Sequence, residues 1–371
     1  MRFLIISHTL HKQEDSSLFA YAPYVREMNL WLKHVKEIEI VAPKTDKPIT
    51  NIDIAYKRGD IIFNKIPSIS FTSVKKSLLS LIQIPVILIS IFNACKRADH
   101  IHLRCPGNIG FLGCLVQVFF PNKIKTAKYA GNWDPKSRQP FSYRFQKAIL
   151  RSTVLSKKMT VLVYGVWKNQ SKNIKPFFTA SFKHKDIILP IERDYSHKLH
   201  IVFIGSLVKG KNPLLAIKIV EALLKSGIKV KLELYAEGVL REELQRYIVD
   251  NSLEDIVDIK GSQNKETIKE TLKRAHFSIL PSKSEGWPKA VAEAMFFGTI
   301  PIATKISCVP YMLDYGARGI LIEANLENAV AHIKKHLKDV DNLKTMSKKA
   351  IQWSQNYTLD TFETEIIKLI K

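Results

Sequence analysis

The stretch FSILPSKSEGWPKAVAEAMFFGTIPIAT, residues 277–304, constrains the fold more than any other part of the chain. FSILP is a short apolar run with strand character, ended by Pro281 and the small polar residues Ser282 and Ser284. Pro288 suits a first helical position, where its missing N–H costs nothing. Gly298 then stops the helix, and IPIAT has the pattern of the next strand. This is a βαβ unit, and sheets built from such units bind ligands outside the carboxyl ends of their strands. The helix start offers unpaired N–H groups and the positive end of a dipole, a setting for an anion such as a phosphate. Glu285 lies in the loop before the helix, where it can meet groups in the mouth of a cleft. Glu293 falls about one and a half turns inside, where it can accept hydrogen bonds from a diol.

Glu-Gly-x-Pro at a strand end, followed by Glu-Ala-Met and a glycine stop, is a specific pattern. It resembles the retaining family-4 glycosyltransferases of GT-B fold, whose donor domain carries a Glu-x7-Glu motif. Three further segments agree in order: IVFIGSLVKGKNP with a first donor strand and its basic loop, LELYAEGVLREEL with a strand and acidic-Gly turn, and VDIKGSQNKETIKETLKRAHFSILPS with the entry to the motif. The resemblance therefore covers residues 200–325. It implies an α/β, GT-B architecture, with two Rossmann-like domains facing across a cleft. The acceptor and membrane-facing domain is expected over 1–195, the donor domain over 196–355, and a last helix at 356–371 returning to the first.

The same resemblance implies the site. Glu285 would sit nearest the reacting sugar and Lys211 would pair with the diphosphate. Glu293 would hold the ribose hydroxyls, with Gly205, Ser206, Glu237, Gly238, Gly286, Trp287 and Pro288 lining the nucleotide-sugar. Ser206 stands where such transferases use Arg, which removes a bidentate partner; Lys209 is the available substitute. The donor implied is a UDP- or GDP-sugar, with no cofactor. No metal is expected: Asp339-Val340-Asp341 is a D-x-D string, but it follows HIKKHLK at what reads as a helix end.

A chain of 371 residues has room for about two domains with their own cores. Cys95, Cys105, Cys114 and Cys308 show no C-x-x-C pair and fit a reduced, cytosolic chain. MRFLIISHTL is too short an apolar run for a signal peptide. Net charge is +23, and residues 1–200 hold 32 Lys/Arg against 13 Asp/Glu. That excess reads either as ordinary lysine-rich solubility or, more sharply, as attraction to an anionic surface, lipid or nucleic acid. Without zinc-finger spacing, RNP aromatics or a glycine-clamp loop, lipid is a better partner than nucleic acid.

In the first half, RFLIIS reads as a strand, residues 24–34 as a helix and EIEIVAP as a second strand. The intervening loop lacks the glycine-rich turn usual in the resembled transferases, and its His8 and His11 are catalytic candidates or ordinary loop residues. Ser77–Cys95 is nineteen residues without a charge between Lys75–Lys76 and Lys96–Arg97. It could just span a bilayer, but Pro85 and its polar residues favour a buried or membrane-facing helix, with Phe71 and its neighbouring lysines near headgroups. KIKTAKYAGNWDP reads as a strand ending in Gly131, Asn132, Trp133 and Asp134. Arg104, Asn132 and Asp134 would share one cleft, although Asn-Trp-Asp-Pro is equally a turn; a histidine usual near Asn132 is missing. MTVLVYG reads as the last strand of this half.

The function these features imply is retaining, metal-independent transfer of a sugar to a glycan or lipid-linked acceptor. The setting would be cell-surface polysaccharide or lipopolysaccharide biosynthesis, at the inner face of the cytoplasmic membrane. The alternatives are another GT-B enzyme such as a nucleotide-sugar epimerase, or a non-catalytic membrane-bound partner.

Overall fold

The computed structural model describes residues 1–50, 52–70 and 72–370; Phe71 and the side chains of Lys75 and Lys76 lie outside the described residues. The chain divides into two compact units, Met1–Phe177 with Glu363–Lys371, and Phe178–Phe362.

The first unit runs β1 (Arg2–Ile6), β2 (His11–Glu14), β3 (Ser17–Tyr21), α1 (Ala22–Leu32), β4 (Glu37–Pro43), β5 (Asp53–Ala55), β6 (Ile61–Ile66) and α2 (Val74–Arg97). It continues through β7 (His100–Cys105), α3 (Asn108–Val116), β8 (Ile124–Tyr129), α4 (Phe141–Arg151), β9 (Met159–Tyr164) and β10 (Ile174–Phe177). Its main sheet has the order β10-β9-β8-β7-β1-β4-β6, and every pair is parallel. Near-continuous apolar strands such as FLII and VLVY suit a sheet covered on both faces. Phe3, Trp31 and His102 stack on one side, while Leu4, Ile6, Ile91 and Ile109 belong to the core on the other.

Three features differ from the sequence expectation. The glycine-free segment after β1 folds into the hairpin β2–β3, which β5 extends into a second, antiparallel sheet. A strand follows MTVLVYG: β10 pairs parallel with β9, so β9 is not the last strand of the unit. Residues 178–195 lie with the second unit. Phe182 belongs to the core cluster with Val202, Tyr235 and Phe296, and Arg193 is buried among carbonyls of that unit. At the other end, Glu363–Lys371 belongs to the first unit, with Glu363 accepting from Lys33 Nζ at 3.0 Å and Glu365 from Lys175 Nζ at 2.8 Å.

The second unit contains β11 (Leu199–Ser206), α5 (Pro213–Lys225), β12 (Val230–Glu237), α6 (Arg241–Asp250), β13 (Val257–Ile259), α7 (Lys265–Arg274), β14 (Phe277–Leu280), α8 (Lys289–Phe296) and β15 (Ile300–Thr304). After these come α9 (Val309–Met312), β16 (Ile320–Ile322), α10 (Leu326–Leu337) and α11 (Val340–Ser354); α12 (Leu359–Ile370) begins in this unit and ends in the first. Its sheet is parallel throughout, in the order β13-β12-β11-β14-β15-β16. From β11 the chain builds outward through β12 and β13, then returns to β14 on the other side and builds the opposite way. The switch point therefore falls between β11 and β14, which pair only at Ile201–Phe277 and Val202–Ser278 before their carboxyl ends separate. HIKKHLK does close a helix, α10, and Asp339 then caps the start of α11, its carboxylate accepting from Asn342 N–H at 2.9 Å.

Candidate functional site

The loops after β11 and β14 meet at this switch point. Lys211 Nζ donates to Glu285 Oε1 at 2.6 Å, and Lys283 N–H donates to Gly210 C=O at 2.9 Å. The Glu285 side chain is only 7 % exposed and Lys211 is half-buried, so the loops place one carboxylate and one cation together at the strand ends. Glu285 stays in the loop as expected. Pro288 stands at the N-cap, one residue before α8 begins, and no side chain caps that helix. Its first-turn N–H groups are thus directed towards the loop.

The Glu285 loop is held from behind. Cys308 Sγ donates to Gly286 C=O at 2.9 Å, from a buried position in the turn after β15. Trp287 is buried, with its ring 6.1 Å from Trp353 and 5.9 Å from Tyr357, so it anchors the loop onto an aromatic cluster of α11 and the turn that follows it. Neither the Cys308 nor the Trp287 contact leaves a local signal in the sequence.

Glu293 faces a small pocket lined by Thr179–Phe182, Lys289, Ala292, Phe296, Ser354 and Tyr357. Its carboxylate accepts from Ser181 Oγ, while Lys265 Nζ donates to Ser181 C=O at 2.5 Å. Burial pushes the Glu293 carboxyl above its ordinary range, opposed by the Ser181 hydroxyl and by Lys289 and Lys265. An acceptor held this way can take hydrogen bonds from hydroxyl donors.

The remaining residues sit on the same strand ends. Gly205 and Ser206 close β11, in register with Ala236 and Glu237. Gly238 has a steric role: a Cβ there would lie 2.5 Å from Leu207 C=O, where the loops after β11 and β12 are laced by Leu207 N–H to Glu237 C=O at 2.8 Å. Glu237 is exposed and accepts from Arg241 Nη1 at 2.5 Å, and Lys209 is exposed on the basic loop after β11.

In the first unit, the candidates are engaged locally. Arg104 Nη1 donates to Glu27 at 2.8 Å, and its guanidinium lies over the Tyr24 ring. Asn132 Oδ1 accepts from Asp134 N–H at 2.9 Å, and Asp134 accepts from Lys136 N–H at 2.8 Å, a turn of linked Asx bonds. His11 is fully buried, bonded to Thr9 C=O and Tyr56 OH, and burial lowers it to about 4. His8 is exposed at the strand end beside Gly107, and partial burial of its ring and the nearby Arg104 charge lower it from its ordinary value, opposed by a hydrogen bond to the Arg104 backbone. Among the described residues, no three His, Cys, Asp or Glu side chains gather where they could hold a metal ion.

Two parallel Rossmann-like halves define an α/β protein of GT-B fold. The family of glycosyl transferases group 1 matches residues 185–353. The amylovoran biosynthesis glycosyltransferase AmsK of Erwinia amylovora is 30 % identical over 148 residues, which is 38 % of this chain and 36 % of that one. The lipopolysaccharide outer core galactosyltransferase WaaB, in its apo form, superposes over 100 % of this chain and 99 % of its own with a TM-score of 0.70 at 14 % identity. Anabaena Alr3699/HepE in complex with UDP and glucose gives 0.66 at 12 % identity, covering 100 % and 99 %. The chain spans about a third to a half of the length of the curated relatives it matches.

Proposed function

We propose that this protein is a retaining glycosyltransferase, moving a sugar from a UDP- or GDP-sugar to a glycan or lipid-linked acceptor. The setting is cell-surface polysaccharide or lipopolysaccharide biosynthesis, at the inner face of the cytoplasmic membrane. The observation that carries this reading is the meeting of Lys211 and Glu285 at the switch point of the second unit, beside an uncapped helix start. The matches to polysaccharide-building transferases support it.

In this reading the bond between the sugar's anomeric carbon and the diphosphate breaks first, and positive charge grows on the sugar. Lys211 and the first-turn N–H groups of α8 stabilise the departing diphosphate, without a metal. Glu285 faces the reacting sugar, and Glu293 holds the ribose hydroxyls. The acceptor oxygen then bonds to the anomeric carbon on the face the diphosphate left, and its proton passes to the leaving phosphate oxygen. Configuration is retained.

A thermal-shift screen with UDP-, GDP- and ADP-sugars, followed by assay of donor hydrolysis and transfer, tests this. Glu293→Gln weakens binding of any nucleotide diphosphate. Glu285→Gln leaves that binding nearly intact and depresses turnover. A chain that binds no nucleotide-sugar, or a Glu285→Gln variant that turns over at the parent rate, rejects the assignment; binding without turnover identifies a non-catalytic partner.

A further inference from the structure

Helix α2 has two apolar faces, and the fold uses one. Ile87, Ile91, Ala94 and Cys95, recurring at i, i+4, i+7 and i+8, are fully buried against β1, β4 and β6. On the opposite side of the helix, Leu78, Leu81, Ile82, Val86, Ile89 and Phe92 form a stripe open to solvent, with Ile82 74 % and Ile89 61 % exposed. A surface helix ordinarily carries polar residues there. The stripe extends past the helix, since the exposed Phe119 has its ring 6.4 Å from Phe92. By length and composition, Ser77–Arg97 could cross a membrane.

The unit that carries α2 is strongly basic: its residues 61–177 hold 19 Lys and Arg against two acids, Asp99 and Asp134, although Lys125 and Lys128 are buried. The last turn of α2 ends in the exposed Lys96 and in Arg97, whose Nη2 donates to the buried Glu39 Oε1 at 2.5 Å.

We propose that this stripe docks the protein on an anionic lipid surface, with α2 lying in the membrane plane. The six outward residues and Phe119 enter the boundary between headgroups and acyl chains, while Lys96 and the other exposed basic residues of this unit meet the phosphates. This deepens the membrane part of the function proposed above. Crossing the bilayer would pull Ile87, Ile91, Ala94 and Cys95 out of the core they share with the sheet. Pairing with a second copy through the same face would bring two basic belts together, a repulsive arrangement. An anionic bilayer matches the apolar stripe and the charge at once.

Co-sedimentation with vesicles of phosphatidylcholine, with and without phosphatidylglycerol, tests the proposal. The parent binds the anionic vesicles at least about tenfold more tightly than the neutral ones and is largely released at several hundred millimolar salt. Ile82→Glu/Ile89→Glu loses that binding by at least about tenfold, and Ile82→Ser/Ile89→Ser weakens it without adding negative charge. Both positions are exposed, and unchanged melting and UDP binding check that the variants are folded. The proposal is overturned if both variants bind like the parent, or if neutral vesicles bind equally. Resistance to alkaline carbonate, or a lipid-free dimer that Ile82→Glu/Ile89→Glu dissociates, overturns it as well. UDP binding by the parent is read separately, so failure of lipid docking and failure of the transferase assignment are distinct results.

Discussion

Lys211 and Glu285 are 74 positions apart in sequence and 2.6 Å apart in the fold. Each compensates the other's charge. In the proposed reading Lys211 exchanges Glu285 for the diphosphate, and the carboxylate faces the sugar. Ser206, at the end of β11, offers no second cation to share the load. Lys211→Ala is therefore expected to weaken nucleoside diphosphate binding by about 1.5–3 kcal/mol, the scale of a hydrogen bond to a charged group. Ser206→Arg is expected to tighten it. Calorimetry with UDP and GDP measures both, and unchanged affinity in Lys211→Ala would remove the lysine from the site.

At the scale of the element, α8 is fixed at both ends by contacts from far away in sequence. Its carboxyl end meets Arg193, whose guanidinium donates to Ala275 C=O at 2.7 Å, Phe297 C=O at 2.7 Å and Gly298 C=O at 3.0 Å, and to Leu272 C=O at 3.1 Å. One fork thus satisfies the last carbonyls of both α7 and α8. Gly298, at φ +72°, turns the chain away, and Ser347 Oγ adds a bond to its carbonyl at 2.5 Å. Arg193→Met would strip the Phe297 carbonyl of its donor and remove one of two donors from Leu272, Ala275 and Gly298, which keep Thr299 and Ser347, an expected loss of about 2–3 kcal/mol of unfolding free energy in urea. Arg193→Lys keeps the charge but not the fork and should fall between. If Arg193→Met unfolds at the parent's denaturant midpoint, the clamp contributes nothing.

At the scale of the whole molecule, acid acts on the first unit through buried histidines. The first unit buries His11, His100 and His102; burial lowers the first two to about 4 and the third to about 3. The unfolded chain takes up these protons near the ordinary histidine value of about 6.5, while the folded unit does not. Stability from these groups is complete above that value and is lost as pH falls towards 4. Each histidine should remove about 2–3 kcal/mol of unfolding free energy by pH 4.5. His102→Gln should flatten the decline in denaturant titrations between pH 7 and 4.5; an unaltered slope would place the proton uptake elsewhere.

Residues 277–304 determined their own βαβ unit, because apolar period, Pro288 and Gly298 are local signals that survive any tertiary context. The parallel α/β class followed from the same alternation, and Glu285 and Glu293 were legible from their positions relative to one strand and one helix. Tertiary structure decided the rest. Whether β11 and β14 are neighbours depends on strand order, and only that neighbourhood brings Lys211 to Glu285. Likewise, the helix end at HIKKHLK was legible, but the immediate start of α11 at the Asp339 cap was not. His11 looked like a loop residue until the β2–β3 hairpin folded it inward against Tyr56. The nineteen uncharged residues of Ser77–Cys95 showed an apolar helix but not its two faces. Burial is a property of what packs against a surface, so only the sheet beneath α2 separates the face that holds the core from the face left open.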